Sequence, residues 1–435
     1  MQRLILSLAG FATRLYYRTT RLGAAVPEGP LLLVANHPNG LVDPVFLAAV
    51  TRRPVRFLGK APLFDMPVLG RLMHGARVLP VHRRSDGADT SNNDATFAAV
   101  FDALGAGEVV CLFPEGRSHS EPRIVELRTG AARMALGAEA RHDFGLGVRI
   151  VPVGLIYPAK RRFRSEVGVW VGDALGVDDL RTAHESDARE AVRDLTERIA
   201  EGLRAVNVEL ERWDELSLLV FVDRLLASDP ASAREPRWPR VRSFATTLRA
   251  LKGARPKAVD EIAGRLQTLQ VELAGAGLRP EDLDRTYTLG SVSAFLLRHV
   301  PLVVLLPFAL VVSVFWWLPY TALPHLARRF APQRDLYATA AILSGAVVLP
   351  LWLAATGIAF GLARGWTTAL LACLALAAAG PFCLRFWERW RDDVTRIGVF
   401  LRGGGPGSRR AALRAERDAL LEALAALRNT AAPPA

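Results

Sequence analysis

Three apolar stretches near the C-terminus, residues 300–323, 338–360 and 366–387, constrain this chain more than any other feature. Each is close to the ~20 residues that a helix needs to cross a bilayer. Residues 1–290 instead mix charged and apolar positions, as a water-exposed domain does. The 435 residues therefore divide into one domain of ordinary size and a membrane portion.

Net charge is +12, which favours anionic partners such as a phospholipid surface, a phosphorylated small molecule or nucleic acid. Zinc-finger spacing and aromatic RNA-binding signatures are both absent from the sequence, so the balance goes to the membrane and away from nucleic acid. Arginine supplies nearly all the basic charge, and lysine occurs only at Lys60, Lys160, Lys252 and Lys257. Three cysteines, Cys111, Cys373 and Cys383, two of them in apolar runs, make no disulfide framework and fit a reducing compartment.

Residues 1–25 read as an amphipathic helix rather than a signal peptide, because Arg14, Arg18 and Arg21 follow a short apolar core at once. Leu4, Leu8, Phe11 and Leu15 share one stripe, which suits a helix lying in the lipid interface or one packed on the domain. Strand-like runs then follow at 31–35, 55–59, 77–81, 108–113, 149–156 and 166–172, with helical patterns at 93–104 and 127–140. This alternation predicts an α/β domain over 26–215 with a largely buried sheet flanked by helices. Residues 216–295 read as a helical extension with a Pro-rich break at 229–239, and 296–390 as the membrane region. The tail, 391–435, carries an amphipathic helix over 407–428.

Within the domain, the first strand-like run ends directly in Asn36 and His37, and Asp43 follows six residues later. Pro38, Asn39 and Gly40 bend the chain between them, so the pair can close to hydrogen-bonding range. A carboxylate on one ring nitrogen orients an imidazole, and the other nitrogen can then take a proton from an alcohol. That is the histidine–carboxylate half of a triad, with no serine nucleophile in evidence. Metal-ligand spacing such as HExxH is missing from the sequence, and no metal is predicted.

The stretch "NHPNGLVDP" is followed in order by "GKAPLF" (59–64), "GARVLPVHR" (75–83), "VVCLFPEGRSHSEP" (109–122) and "IVPVGL" (150–155). This ordered set resembles the glycerolipid acyltransferase family, the glycerol-3-phosphate and lysophosphatidic acid acyltransferases, over roughly residues 15–215. The resemblance implies a mixed central sheet, a phospholipid membrane as partner, and acyl-CoA or acyl-carrier protein as co-substrate, with no cofactor. It implies that His37 is the general base for a glycerol hydroxyl, which attacks the thioester directly, and that Asp43 orients it. By the same resemblance Asn36, Lys60 and Arg83 belong to the substrate site, Arg83 holding the acceptor phosphate. Glu115, Gly116, Arg117 and Ser118 line the same site, and Pro152 shapes the acyl wall.

One motif departs from the family pattern: "FPEG" is followed by Arg117, Ser118 and His119, where lysophosphatidic acid acyltransferases read F-P-E-G-T-R. The form resembles the glycerol-3-phosphate acyltransferases with C-terminal membrane segments, and favours glycerol-3-phosphate over its 1-acyl derivative. Another lysophospholipid or an acylated amino acid remains an alternative acceptor, and a lipid-binding protein that kept the fold without activity is the alternative outside enzymes. His119 reads either as a second polar contact or as a surface turn residue.

A cytoplasmic acyl donor requires the domain on the cytoplasmic face, and Arg389, Arg391, Arg396 and Arg402 favour that face for the tail, in a bacterial inner membrane. Three spans cannot satisfy both. The first stretch holds Pro301, Pro307 and Pro319, and it is predicted to re-enter or lie in the interface, with 338–360 and 366–387 as a hairpin. Arg328, Arg329 and Arg334 then fall inside and Arg364 in the outer turn; the alternative is that 300–323 spans.

Overall fold

A computed structural model describes residues 2–67, 69–83, 93–227, 236–284, 289–331, 335–402 and 409–431. Part of the Pro-rich break (229–235), Arg334 and residues 432–435 lie outside the described residues. The chain forms two compact units, one of residues 1–209 with 327–342, the other of 210–326 with 343–435.

The first unit is built on a seven-stranded sheet. Its strands are β1 (Arg18–Gly23), β2 (Leu31–Ala35), β3 (Val55–Lys60), β4 (Leu79–Val81), β5 (Val109–Leu112), β6 (Arg149–Ile156) and β7 (Glu166–Val171), in the order β1-β7-β6-β2-β5-β3-β4. Strands β6, β2, β5, β3 and β4 run parallel and β6–β7 antiparallel, so the sheet is mixed. Strands β2 and β5 have no polar residue because helices or loops cover both faces, and every residue of "LLLVA" is buried.

Helices of this unit are α1 (Gln2–Tyr16), α2 (Asp43–Ala48), α3 (Leu69–Gly75), α4 (Asn93–Gly105), α5 (Gly130–Ala140), α6 (Arg181–Ser186) and α7 (Ala188–Ala205). One sheet face packs Leu32, Val34, Val110 and Ile150 with residues of α4, α5 and α7. The other packs Leu31, Leu33, Cys111 and Val153 with Phe46 and Leu47 of α2, and also with Ala338.

Two expectations need correction. The N-terminal helix does not extend to residue 25, because it stops at Tyr16 and the chain turns into β1, which pairs with β7 and carries Arg18 and Arg21. The apolar stripe survives: Leu4, Leu8 and Phe11 are exposed on α1. The run at 77–81 yields only the three-residue β4.

The second unit contains α8 (Trp213–Leu226), α9 (Arg237–Ala254) and α10 (Pro256–Ala276), then α11 (Leu289–Phe330), α12 (Tyr337–Arg364), α13 (Trp366–Arg402) and α14 (Arg409–Ala431), apart from the ends of α11 and α12 that belong to the first unit. Leu225, Leu269, Leu273, Leu413 and Leu420 form a core between the extension and the tail helix. His299–Phe330, Tyr337–Arg364 and Trp366–Arg391 are long and apolar enough to cross a membrane. Helix α11 is continuous through Pro301, Pro307, Pro319 and Pro324, so it does not break and re-enter.

Candidate active site

The site forms at one edge of the sheet, where the parallel strands end. Asn36 closes β2: its amide accepts from Leu155 N at 2.7 Å and donates to Leu155 O at 3.0 Å. This locks the end of β2 to β6 and leaves His37 two residues past the strand. His37 N donates to Glu115 Oε2 at 3.0 Å, and His37 O accepts from His119 N at 3.1 Å. The imidazole stacks on Phe113 with ring centroids 3.8 Å apart.

Asp43 opens α2, with Pro44 beside it in the first turn where its missing N–H costs nothing. One carboxylate oxygen, Oδ2, lies 2.9 Å from His37 Nδ1 and accepts from Asn39 N at 2.7 Å. The other, Oδ1, accepts from the Tyr157 hydroxyl at 2.6 Å. An ionised carboxylate only accepts, so this network assigns the proton to Nδ1 and leaves the lone pair of the neutral ring on Nε2. The Asp43 side chain is 0% exposed and that of His37 17%, so the carboxylate is sealed while the imidazole is reachable. A buried carboxylate is tolerable only with such partners.

Further supports come from the residue just before β1 and from the turn after β6. Asn39 Nδ2 donates to the Tyr17 hydroxyl at 2.9 Å, and Tyr17 donates to Lys160 O. Burial pushes the Tyr157 and Tyr17 phenols well up, so both remain donors. The Lys160 ammonium donates to Pro38 O and Ser120 Oγ, both at 2.7 Å, and burial pulls its pKa down. Tyr17, Tyr157 and Lys160 had no motif to announce them. The available signal was position: β6 runs parallel beside β2, so residues just past its end fall next to His37.

The other predicted residues separate into two groups. Lys60 ends β3 and is exposed, Arg83 lies two residues past β4, and Arg117 is exposed in the turn after β5. Because β2, β5, β3 and β4 are parallel neighbours, His37, Arg117, Lys60 and Arg83 leave the sheet at the same edge. Gly116 takes a left-handed φ of 75°, which turns the chain at that edge.

Three residues are not brought to the substrate edge by their side chains. Asn36 is engaged with Leu155, as above. Glu115 faces inward, holding His37 N and lying 2.9 Å from His119 Nε2, so His119 is neither a surface residue nor turned outward. Pro152 sits mid-strand, where a Cβ on Gly202 of α7 would meet its ring at 3.1 Å. Its ring therefore packs against α7. Ser118 donates to Asp335. Cys111 is buried with its thiol pKa pushed up, as an inert core residue.

The site is thus a histidine held by a buried carboxylate, at the strand ends from which Lys60, Arg83 and Arg117 also leave the sheet. Residues 18–156 match the family model described as Acyltransferase. Through this segment the chain resembles the glycerolipid acyltransferases. It is similar to glycerol-3-phosphate O-acyltransferase 2 of Saccharomyces cerevisiae, 34% identical over 150 residues, which are 34% of this chain and 20% of that protein. It is also similar to the lyso-ornithine lipid O-acyltransferase of Rhizobium meliloti, 26% identical over 191 residues, 42% of this chain and 62% of that one. The crystal structure of the 1-acyl-sn-glycerophosphate acyltransferase of Thermotoga maritima aligns with a TM-score of 0.34 at 16% identity, covering 47% of this chain and 80% of that chain. The chain thus spans about a fifth of the yeast relative's length.

Proposed function

We propose that the protein is a membrane-bound O-acyltransferase that moves a fatty acyl group from acyl-CoA or acyl-carrier protein to a hydroxyl of glycerol-3-phosphate. The observation that carries this is the His37–Asp43 pair at 2.9 Å on the edge that also receives Lys60, Arg83 and Arg117. His37 Nε2 takes the hydroxyl proton as the oxygen attacks the thioester carbonyl. Asp43 holds the ring and stabilises the imidazolium, and the thiolate then leaves. The nucleophile is the substrate's own oxygen, so no acyl-enzyme forms. Guanidinium groups suit the acceptor phosphate because their donors fork onto its oxygens.

The R. meliloti similarity supports a second reading, in which the acceptor is a lysolipid built on an acylated amino acid. Offering glycerol-3-phosphate, 1-acylglycerol-3-phosphate and lyso-ornithine lipid in parallel, with either donor, separates the readings by their products. Acylation of the lyso-ornithine lipid alone would refute the first.

The bilayer is the second partner. Residues 1–209 and 327–342 belong to one compact unit, so they lie on one face of a membrane. Between them α11 is the only candidate span among the described residues, and one crossing would separate them. Helix α11 therefore lies along the interface, and α12 with α13 forms the crossing hairpin. Contacts inside the second unit support the hairpin. Cys373 of α13 donates to Leu353 O of α12 at 3.5 Å, and a Cβ on Gly361 would meet Trp366, so these two run antiparallel. Yet α11 is antiparallel to both: Phe315 meets Trp352 and Leu323 lies near Gly345, while Ser313 meets Cys383 at 3.2 Å and His299 meets Asp393 at 2.9 Å. Through residues 315–323 α11 thus packs along α12 and through 299–313 along α13, so its proposed place in the interface rests on the parity of the chain alone. The exposed stripe of α1 adds a second interfacial contact. In a bacterial cell the face concerned is the cytoplasmic face of the inner membrane, where acyl donors are made.

A further inference from the structure

The turn between α11 and α12 comes from the membrane region, yet it joins the site. Asp335 of this turn is 7% exposed and accepts from the hydroxyl of Ser118, 217 residues away in sequence. A buried carboxylate without partners is costly, so this contact has to be specific. The seating extends to the histidine loop itself. Gly40 has a left-handed φ of 45°, and a Cβ there would meet Leu336 Cδ2 at 2.9 Å, Asp335 O at 3.2 Å and Thr339 Oγ1 at 3.3 Å. Glycine at position 40 therefore leaves room for the turn. Ala338 completes the docking by packing with Phe46 and Leu47 in the core beneath α2.

On the other side of this contact lies the loop after β5. It is held at three consecutive residues: Ser118 by Asp335, His119 N by His37 O, and Ser120 by Lys160. Lys160 in turn feels the charges of both Asp43 and Asp335. Arg117, one residue before this anchored run, points to solvent. The position of its guanidinium thus depends on where Ser118 is fixed. The His37–Asp43 pair has separate supports in Tyr157 and Asn39.

We propose that Asp335, carried by the turn between two membrane-region helices, is a positioning residue of the acyltransferase site: through Ser118 it fixes the 116–120 loop, and so the anion-facing edge that receives the acceptor phosphate. This rests on the acyl-transfer reading above. It means that the site is completed by the membrane region rather than merely tethered by it. In this role the Asp335 carboxylate acts through Ser118, and it bears on acceptor binding more than on proton transfer because Asp43, which orients the base, keeps its own donors in Tyr157 and Asn39.

The test uses the full-length enzyme in phospholipid–detergent micelles, comparing wild type with Asp335→Ala, Asp335→Asn, Ser118→Ala and the Asp335→Ala/Ser118→Ala double variant. Each alanine variant is expected to raise the acceptor KM about tenfold, the scale of one charge-assisted hydrogen bond, while kcat and the donor KM change less than about threefold. The double variant is expected to be no worse than the worse single one, because the two residues share one contact. Asp335→Asn, which keeps the volume and a weaker acceptor, falls between. Hydrogen exchange, which does not depend on activity, is expected to show faster exchange of residues 113–122 in Asp335→Ala. Unchanged kinetics in both alanine variants, multiplicative losses in the double variant, or a loss of kcat and folded fraction with KM unchanged would each overturn the proposal. A wild-type protein that acylates no acceptor would instead sink the functional reading, and that shows before any variant is compared.

Discussion

Replacing Tyr157 by phenylalanine removes one oxygen from a fully buried network and tests how the base is held. The hydroxyl donates to Asp43 Oδ1 at 2.6 Å, and burial keeps the phenol protonated, so the bond is present across the working pH range. Among the described residues Asp43 then keeps Asn39 N and His37 Nδ1 as donors, both on Oδ2. With Oδ1 bare, the carboxylate is free to turn and competes harder for the proton on Nδ1. A hydrogen bond to a charged group in a buried site is worth ~1.5–3 kcal/mol. Expressed as rate, that is roughly 10- to 150-fold in kcat. The assay is initial-rate acyl transfer at saturating acceptor and donor, with the fold checked by circular dichroism and thermal unfolding. Because Tyr157 acts through Asp43, the same substitution in an Asp43→Asn background is expected to cost less than about threefold. Activity of folded Tyr157→Phe within twofold of wild type, or an equal loss in both backgrounds, would refute this account of the base.

Three further outcomes are expected. Arg83→Ala raises the KM for the phosphorylated acceptor and leaves the donor KM within about twofold, as steady-state kinetics varying each substrate would show. Burial holds the Lys160 pKa below its ordinary 10.5, so the ammonium that binds Pro38 O and Ser120 Oγ is lost at a lower pH than in a surface lysine. Activity therefore falls on the alkaline side with a midpoint below 10.5, and Lys160→Arg removes that limb. Stability responds with the opposite sign: the unfolded chain holds this proton more tightly, so the contribution of Lys160 rises with pH between the folded and unfolded pKa values. In a cysteine-free background, single cysteines at 330, 364 and 410 are expected to react with an impermeant label outside intact cells only at 364; labelling at 330 but not at 364 would refute the hairpin.

The sheet's centre was legible because burial on both faces leaves an unbroken apolar signature, as in "LLLVA" and "RIVPVGLI". Strand β1 was not: "RTTRLG" lies at the sheet edge, is almost wholly exposed and shows no apolar run. The His37–Asp43 pair was legible because one short turn joins its members. Its supports were not, since Tyr17 arrives from just before β1 and Tyr157 and Lys160 from just after β6, and only the pairing of the sheet brings them in. Asp335 is the extreme case, delivered from the far end of the chain by a turn whose neighbours read only as membrane helix. Motif membership also misled about direction: Asn36 and Glu115 occupy motif positions, yet their side chains brace the backbone around His37. A helical period cannot distinguish a spanning helix from one lying in the interface, so the sequence leaves both placements open for α11.

The central claim is that His37 drives direct acyl transfer to glycerol-3-phosphate. It is tested most directly by incubating purified wild type and His37→Ala with a labelled acyl donor, offering glycerol-3-phosphate and 1-acylglycerol-3-phosphate in separate reactions, and resolving the lipid products. The account predicts that wild type forms 1-acylglycerol-3-phosphate from the first acceptor faster than it acylates the second. It also predicts that folded His37→Ala is slower by at least roughly 10²–10⁴-fold, the contribution of a positioned general base. No transfer to glycerol-3-phosphate by wild type, or activity of folded His37→Ala within tenfold of it, would contradict the account.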